Sequence, residues 1–423
     1  MKVLIISHNP MSVKFGIGKT LLASFSCFKK EELCQLYTHT GVPDRNVCES
    51  YYRITDKCVL KGVLTRKVNS ATVMPAPVTE QAEENNGIFY KSIYKNQKNK
   101  LPSREVLRDI MWKVSPWYNN NVKSWINEQK PTCIYVAVGS CKFLYDIAIE
   151  ISRDYKLPIY TYVCDDFYFA NTPNGFWGYI WKKMLDKKTR ELMSASKQII
   201  SICDEISEVY SHEFSRPALT IMTGTNYRIA EPFFKKEISS ICYFGRLNLN
   251  RYKSIADVCR VIDKINNKKG TSYTVEIFCK EPDENIKLEF KNIKSAKFSG
   301  FLLGEAFEKK LFCADALLHV EAFDPASIDR VKHSVSTKIA DSLASGIPLF
   351  AYGPSCVASI AHLIRNNCGI VATDLSELEE KLCSLFFDTE YRKNVSKHDI
   401  DAANKYHNPQ IVSRKLHSVL SGR

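Results

Sequence analysis

Short apolar runs recur along this chain, and nearly every one ends in a polar or glycine-bearing loop that leads into a helical pattern. Val3–Ile6, Cys133–Val138, Ile159–Val163 and Gln198–Ile202 are such runs, as are Ile241–Phe244, Tyr273–Cys279, Ala316–Val320 and Leu349–Tyr352. A short, continuously apolar run is the signature of a strand buried on both faces. Parallel strands of that kind cannot be joined by tight turns, so a helix must cross over between each pair. The alternation breaks once, near 229–239, where Ile229-Ala230-Glu231-Pro232 opens a stretch without period, and then restarts. Alternating strand and helix with one break predicts α/β architecture in two doubly wound domains.

Some segments fit this scheme less directly. Residues 33–38 and 54–64 read as further short strands, and Leu219–Asn226 as the last strand and loop of the first domain. Helical spacing covers Trp177–Ala195, Ser254–Asn267, Gly304–Ala314, Leu375–Phe387 and Ile400–Leu420. From about Thr65 to Lys100 the period dissolves. Pro75 and Pro77 precede Glu80, Glu83 and Glu84, and then Lys91, Lys95, Lys98 and Lys100, which marks an excursion from the core. Apolar and aromatic positions return from Val106 to Ile126, flanked by Lys98, Lys100, Arg104, Arg108, Lys113 and Lys123. Two readings fit that stretch: an amphipathic segment lying on an anionic membrane, or core helices with solvated lysines.

The 423 residues are 45% hydrophobic and 25% charged, as in a soluble globular protein. No apolar run has the length of a membrane span. Met1–Pro10 turns polar too soon for a signal peptide and reads as a first strand, which places the protein in the cytoplasm. The net charge of +13 calls for an anionic partner. Its lysines are spread rather than blocked, which counts against nucleic acid and favours a membrane surface or phosphate-bearing ligands. Fifteen cysteines lie singly, with no Cys-x-x-Cys pair, and read as buried, reduced packing residues.

Three places carry chemistry. Gly16-Ile17-Gly18-Lys19-Thr20 follows the first strand, but the first glycine of a phosphate-binding Walker loop would have to stand at Val13. What remains is a loop where backbone can approach a ligand at a helix N-terminus. Asp165 and Asp166 end the strand Pro158–Val163, at the edge where α/β sheets bind ligands. They point to different sides, and no further metal ligands accompany them. Ser334-Val335-Ser336-Thr337-Lys338-Ile339-Ala340-Asp341 reads as a polar loop entering a helix with Ser336 or Thr337 as N-cap, and Gly346 and Pro348 end that helix. Its start suits a phosphate, and it equally suits an ordinary capped helix.

With these residues placed, four segments together resemble the retaining GT-B glycosyltransferases of the family 4 (group 1) type, especially bacterial enzymes of surface-polysaccharide synthesis. Tyr243-Phe244-Gly245-Arg246-Leu247 matches that family's opening of the second domain, and Ser336–Pro348 resembles its S-T-K-I-x-E-Y-L-A-S-G-x-P helix. Gly369-Ile370-Val371 matches the strand that follows, and Asn9–Thr20 resembles the glycine-bearing first loop.

The resemblance implies two Rossmann-like domains facing a central cleft: 1–232 for the acceptor, 233–395 for a nucleotide-sugar donor, and a terminal helix within 396–423 packing back on the first. It implies a donor diphosphate held by Arg246, by Arg251 or Lys253, and by Ser336, Thr337 and Lys338, with Asp341 on the ribose. Glu321 would contact the sugar, and Asp165 or Asp166 would orient the acceptor hydroxyl. Gly16, Gly18 and Lys19 would lie near donor and acceptor. The family's paired glutamates are replaced here by His333 and Asp341. The reaction implied is a front-face transfer to a glycan or polyprenyl-linked saccharide, needing no cofactor or metal, at the inner face of the cytoplasmic membrane. The competing functions are a GT-B-fold epimerase or phosphorylase, and a basic binding protein for polyanionic glycan or nucleic acid.

Overall fold

The computed structural model of the chain describes residues 1–76, 101–170, 173–232 and 235–422. The chain divides into two units, Met1–Met222 with Val412–Arg423, and Thr223–Ile411. Lys95, Lys98, Lys100 and most of the irregular excursion lie outside the described residues.

The first unit is built on strands β1 Val3–Ser7, β2 Leu33–Tyr37, β3 Ser50–Arg53, β4 Ala71–Thr72, β5 Cys133–Val138, β6 Ile159–Val163, β7 Ser196–Ser201 and β8 Ala218–Thr220. They lie in the order β4-β3-β2-β1-β5-β6-β7-β8, parallel throughout except for the antiparallel β3–β4 pair. β1 is central, pairing Val3 with Leu33 on one side and Cys133 on the other, so its five residues are all buried. Phe25, Tyr135, Tyr160 and Tyr162 fill one core with Leu416 and Leu420 of the terminal helix Pro409–Ser421. Burying each such side chain is worth roughly 1.5–3 kcal/mol.

Two readings of the sequence are corrected in this unit and at the chain end, and one that offered two alternatives is narrowed. Residues 54–64 are not a strand: β3 stops at Arg53, Thr55 caps a turn by accepting from Cys58 N, and Asp56–Thr65 is helical. Val59 and Gly62 are its buried side, a helical spacing that the apolar count alone concealed. The Val106–Ile126 stretch forms two packed helices, Pro102–Val114 and Asn120–Gln129, with Val106, Trp112, Trp117, Val122, Trp125 and Ile126 buried. The core reading of that stretch therefore holds. Residues 400–420 are not one helix: Thr389–Ala402 runs into a π-helical turn at Ala403–His407, and Pro409 starts a new helix. Proline disfavours helix in the residue before it, and Asn408 is accordingly extended, at φ −67° and ψ 118°.

The second unit holds β9 Ser240–Phe244, β10 Thr274–Phe278, β11 Ala296–Phe298, β12 Ala316–Val320, β13 Leu349–Tyr352 and β14 Ile370–Ala372, in the order β11-β10-β9-β12-β13-β14 and all parallel. Ile241, Tyr243, Ile255, Ile262, Val275, Leu318, Phe350 and Leu382 are among its buried core. The unit begins earlier than residue 233 because Thr225 and Ala230 bond into it, to His407 O and Ala344 O. It also keeps the helix Thr389–Ala402, whose Arg392 bonds Leu385 O and Lys236 O and whose Ser396 bonds Gly346 O. Only from Val412 does the chain rejoin the first unit, where Ser413 accepts from Cys27 N. All fifteen cysteines are free thiols.

Asp399 ties together the N-terminal ends of β13 and β14, accepting from Gly369 N at 2.6 Å and Leu349 N at 3.4 Å. Complete burial pushes its pKa up to about 7, against lowering by the two backbone bonds. A raised folded pKa means that this group's stabilising contribution is present in acid and is lost as pH rises through about 7. The melting temperature of Asp399→Asn, followed from pH 6 to pH 8, should stay level where the wild-type value falls; parallel profiles would refute the assignment.

Candidate functional site

Three cations converge at the C-terminal edge of the second sheet. Arg246 follows β9, Arg251 opens the helix Arg251–Lys269, and Lys338 lies in the first turn of the helix Thr337–Ala344. Lys338 is exposed as a residue, but its ammonium sits close among protein atoms. Burial first, and then Arg251 and Arg246, push its pKa down to about 8. Gly245 leaves room for this: a Cβ there would stand 3.0 Å from Lys338 Nζ and 2.8 Å from the Tyr243 hydroxyl. That hydroxyl donates to Arg246 O at 2.8 Å and braces the loop.

The loop between the two arginines is strained. Leu249 and Asn250 are both left-handed, with φ of 54° and 55°. Asparagine tolerates this, whereas leucine pays for a clash of its Cβ, about 1–3 kcal/mol. Asn250 Nδ2 holds the conformation by donating to Asp324 Oδ2 at 2.9 Å. Of the two basic candidates beyond the loop, Arg251 is the one beside Lys338 and Glu321, while Lys253 is exposed one half-turn later.

Glu321 follows β12 and is 2% exposed. Its Oε2 accepts from Arg251 Nε at 3.0 Å and pairs with Nη2 at 2.8 Å, and Oε1 lies 3.3 Å from His319 Nε2. Burial alone would raise its pKa; His319 and Arg251 outweigh that and hold the carboxyl below its ordinary value. Ser254 Oγ donates to Glu321 O at 2.8 Å, so the helix that carries Arg251 is pinned to the strand that carries its partner. The carboxylate is therefore committed to aiming Arg251.

The helix Thr337–Ala344 begins without a side-chain cap; Ile339 N donates to Ser336 O at 3.0 Å, which leaves the N–H groups of Thr337 and Lys338 as the ones to meet another acceptor. Ser336 spends its own N–H on Ser359 Oγ, at 2.9 Å. Asp341 is 4% exposed, and its Oδ1 accepts from Thr225 Oγ1 at 3.0 Å. His333 falls in the turn between the helices Pro325–Val331 and Thr337–Ala344. A pocket opens among Tyr243, Phe244, Arg251, Phe307, His319, Ser336, Lys338 and Asp341. Phe244 stacks on Phe278 with centroids 5.0 Å apart, and Phe307 meets Phe244 edge-on at 5.1 Å. One end of this site is cationic and the other aromatic, which suits a phosphate joined to a flat ring.

The remaining candidates belong to the first unit. Gly18 is required by packing, since a Cβ would fall 2.3 Å from Pro10 O, while Gly16 faces open space and Lys19 is half-buried. Asp165 is exposed. Asp166 is buried and its Oδ1 accepts from Phe169 N and the Tyr210 hydroxyl, at 3.0 and 3.1 Å. Sequence reasoning missed a polar cluster reached from the C-terminal ends of β1, β2 and β5. There His8 Nδ1 meets Thr38 Oγ1 at 2.8 Å, Arg108 pairs with Asp56 at 3.0 Å, and buried Lys142 pairs with Asp109 at 2.7 Å. It also missed His319 and Thr225. His319 stands two residues before Glu321 on one strand face, so period two could have found it; Thr225 carries no local signal.

No protein-family model matches the chain, and no curated protein matches it by sequence. Solved structures do match along its whole length. HepE from Anabaena, crystallised with UDP and glucose, aligns with a TM-score of 0.63 at 10% identity, covering 100% of each chain. An α,α-trehalose-phosphate synthase (UDP-forming) from Burkholderia xenovorans, in complex with glucose-6-phosphate, gives 0.62 at 9% identity, again over 100% of both chains. Sucrose-phosphate synthase from Thermosynechococcus elongatus gives 0.61 at 9%, over 100% of this chain and 99% of that one.

The chain has the GT-B fold. Within that fold, Arg251 and Lys338 of the pocket, with Arg246 beside them, sit on the sheet edge to which Rossmann-like domains bring their ligands. The second unit thus contributes Arg246, Arg251 and Lys338 from three separate segments, and the parallel order β9-β12-β13 is what makes those segments neighbours.

Proposed function

We propose that this protein transfers a sugar from a nucleotide-sugar donor to a saccharide acceptor. The observation that carries the reading is a pocket lined by Arg251 and Lys338, with Arg246 close enough to Lys338 to lower its pKa, beside a helix start without a side-chain cap. Cations and the N–H groups of a helix start are what a diphosphate leaving group needs as its negative charge grows. Neighbours of the same fold were crystallised with UDP and glucose, or with glucose-6-phosphate, which favours a uridine nucleotide and a sugar acceptor.

In this mechanism Arg246 and Lys338 grip the diphosphate, and Arg251 is aimed at it by Glu321. The bond from the anomeric carbon to the leaving phosphate oxygen breaks. The acceptor oxygen attacks from the same face, its proton passes to that phosphate oxygen, and configuration is retained. The three cations supply the charge stabilisation for which other transferases use a divalent ion. In this reading Glu321 acts by positioning Arg251, a different role from the sugar contact that the resemblance implied. Asp341 takes the ribose hydroxyls by exchanging its bond to Thr225. The acceptor of this reading is a glycan or polyprenyl-linked saccharide of surface-polysaccharide synthesis, with Asp165 and the cluster around His8 as the first unit's candidate groups for it.

The test is a thermal-shift and calorimetric titration with UDP, GDP, ADP and their hexose conjugates. One nucleotide series should raise the melting temperature. Arg246→Ala should then weaken that nucleotide by roughly 10–100-fold, the loss of one or two charge-assisted bonds. Its own melting temperature should barely move, because Arg246 is exposed. Unchanged affinity would take Arg246 out of the site, and no binding by any nucleotide would remove the transferase reading.

A further inference from the structure

We propose that the Thr225 hydroxyl is an internal substitute for a ribose hydroxyl: it holds Asp341 when no nucleotide is bound, and a nucleotide must displace it to bind. The inference rests on the nucleotide reading of the pocket and adds to it a residue that sets affinity. Asp341 lines the pocket, whereas Thr225 is completely buried behind it. Thr225 Oγ1 donates to Asp341 Oδ1 at 3.0 Å. The same Oγ1 accepts from Tyr227 N at 3.1 Å, which keeps the hydroxyl proton directed at the carboxylate. The threonine hydroxyl is a secondary alcohol, as are the 2′ and 3′ hydroxyls of ribose. A carboxylate that turns from one to the other exchanges like for like.

Thr225 cannot follow Asp341 when it turns, because His407 grips the chain on both sides of it. Thr225 N donates to His407 O at 2.8 Å, and His407 Nδ1 lies 2.9 Å from Thr223 O. A carbonyl only accepts, so Nδ1 carries the proton and Nε2 of the neutral ring is an acceptor. Its partner, 3.1 Å away, is His362 Nε2, which therefore carries the proton of that ring. His362 Nδ1 in turn accepts from Asn366 Nδ2 at 3.3 Å. All four ring nitrogens thus have one role and one partner each. Burial, the largest cause for each, keeps both rings neutral and pushes the pKa of His362 down to about 3 and of His407 to about 4.

Two further features fix the segment. His407 closes the π-helical turn Ala403–His407, a rare conformation that recurs at functional sites. Ala230 N donates to Ala344 O at 2.9 Å, so the chain is tied to both ends of the helix that carries Asp341. All these residues belong to the second unit. A ribose that captures Asp341 leaves the Thr225 hydroxyl in place and takes away this acceptor. The gain from the new bond is offset by the loss of the old one, and the spent nucleoside diphosphate is held less tightly.

UDP, GDP and ADP, each beside its 2′,3′-dideoxy analogue, are titrated by calorimetry into wild type, Thr225→Val, Thr225→Ala and Thr225→Ser. Wild type should prefer the ribonucleotide that it binds over the dideoxy form by less than about tenfold, since one bond replaces another. Thr225→Val has no hydroxyl to displace. It should bind the ribonucleotide about tenfold more tightly than wild type, with affinity for the dideoxy form unchanged. Thr225→Ser restores the hydroxyl and should return the wild-type affinity. A merely structural role for Thr225 predicts the reverse, a loss of affinity for both forms. Thr225→Ala reads the same gain should the valine variant fail to fold. If neither folds, wild type decides, and a preference for the ribonucleotide above about tenfold overturns the proposal. Folded Thr225→Val that binds the ribonucleotide no more tightly than wild type, or that gains equally for both forms, overturns this proposal alone. Binding of no nucleotide by wild type overturns the nucleotide reading and this proposal with it.

Discussion

Replacing Arg251 with alanine is expected to abolish nucleotide binding and to destabilise the second unit at the same time. Binding suffers because one of three converging cations is gone. Stability suffers because Glu321 is then left almost fully buried, having lost the guanidinium and keeping His319 as a side-chain partner. Breaking a buried pair by removing one partner costs about 3–5 kcal/mol, which corresponds to a melting temperature lower by roughly ten degrees in a unit of this size. The two effects can be pulled apart. The double variant Arg251→Met with Glu321→Leu replaces both charges by apolar groups and should recover most of the melting temperature without recovering binding. Arg251→Lys should keep the fold but bind weakly, since one ammonium cannot reproduce the two donors that Glu321 receives from the guanidinium. A melting temperature of Arg251→Ala within a degree or two of wild type would show that the pair contributes nothing to the fold.

The second large effect is a pH dependence of nucleotide affinity centred on Lys338. In the free protein its pKa stands at about 8, well below that of an ordinary lysine, because burial and two arginines disfavour the charge. A bound diphosphate reverses that balance and draws a proton onto the amine. Affinity should therefore be highest below pH 8 and fall as pH rises through it, with net proton uptake measurable by calorimetry in buffers of different ionisation enthalpy near pH 8.5. The sign for stability is opposite. A depressed folded pKa disfavours the charged form, so this lysine lowers the stability of the empty protein below about pH 8 and ceases to do so as pH rises towards its unfolded value. Lys338→Met should flatten the affinity profile, lower the affinity by about tenfold or more, and make the empty protein no less stable. A pH-independent wild-type affinity between pH 7 and 9 would contradict the placement of Lys338 against the diphosphate.

Much of the frame was legible. β5, β12 and β13 are the strands that the apolar runs Cys133–Val138, Ala316–Val320 and Leu349–Tyr352 predicted, because a strand buried on both faces must be apolar without interruption. Gly346, at φ 70°, ends the Thr337–Ala344 helix in the left-handed conformation that its position demanded. The misreadings fall where one local signal served two structures. Residues 54–64 have enough apolar content for a strand, and only the cap at Thr55 and the burial of Val59 and Gly62 make them a helix. The Val106–Ile126 stretch, for which two readings stood open, has a packed side because Trp112 stacks on Phe143 and Trp125 reaches Ser50.

The sequence by itself determined most of the strands and the alternation of helices with them, and its resemblance to a family named the cations proposed for a phosphate. Those properties depend on neighbours within a turn or a strand, and local periodicity records them. Tertiary structure alone decided what each charged group does. Glu321 lies 70 residues from Arg251, and Asp341 lies 116 from Thr225. Both distances vanish when β9, β12 and β13 line up side by side. Whether a carboxylate meets a guanidinium, a hydroxyl or a substrate is set by that packing, through burial and opposing charge, and no spacing along the chain encodes it.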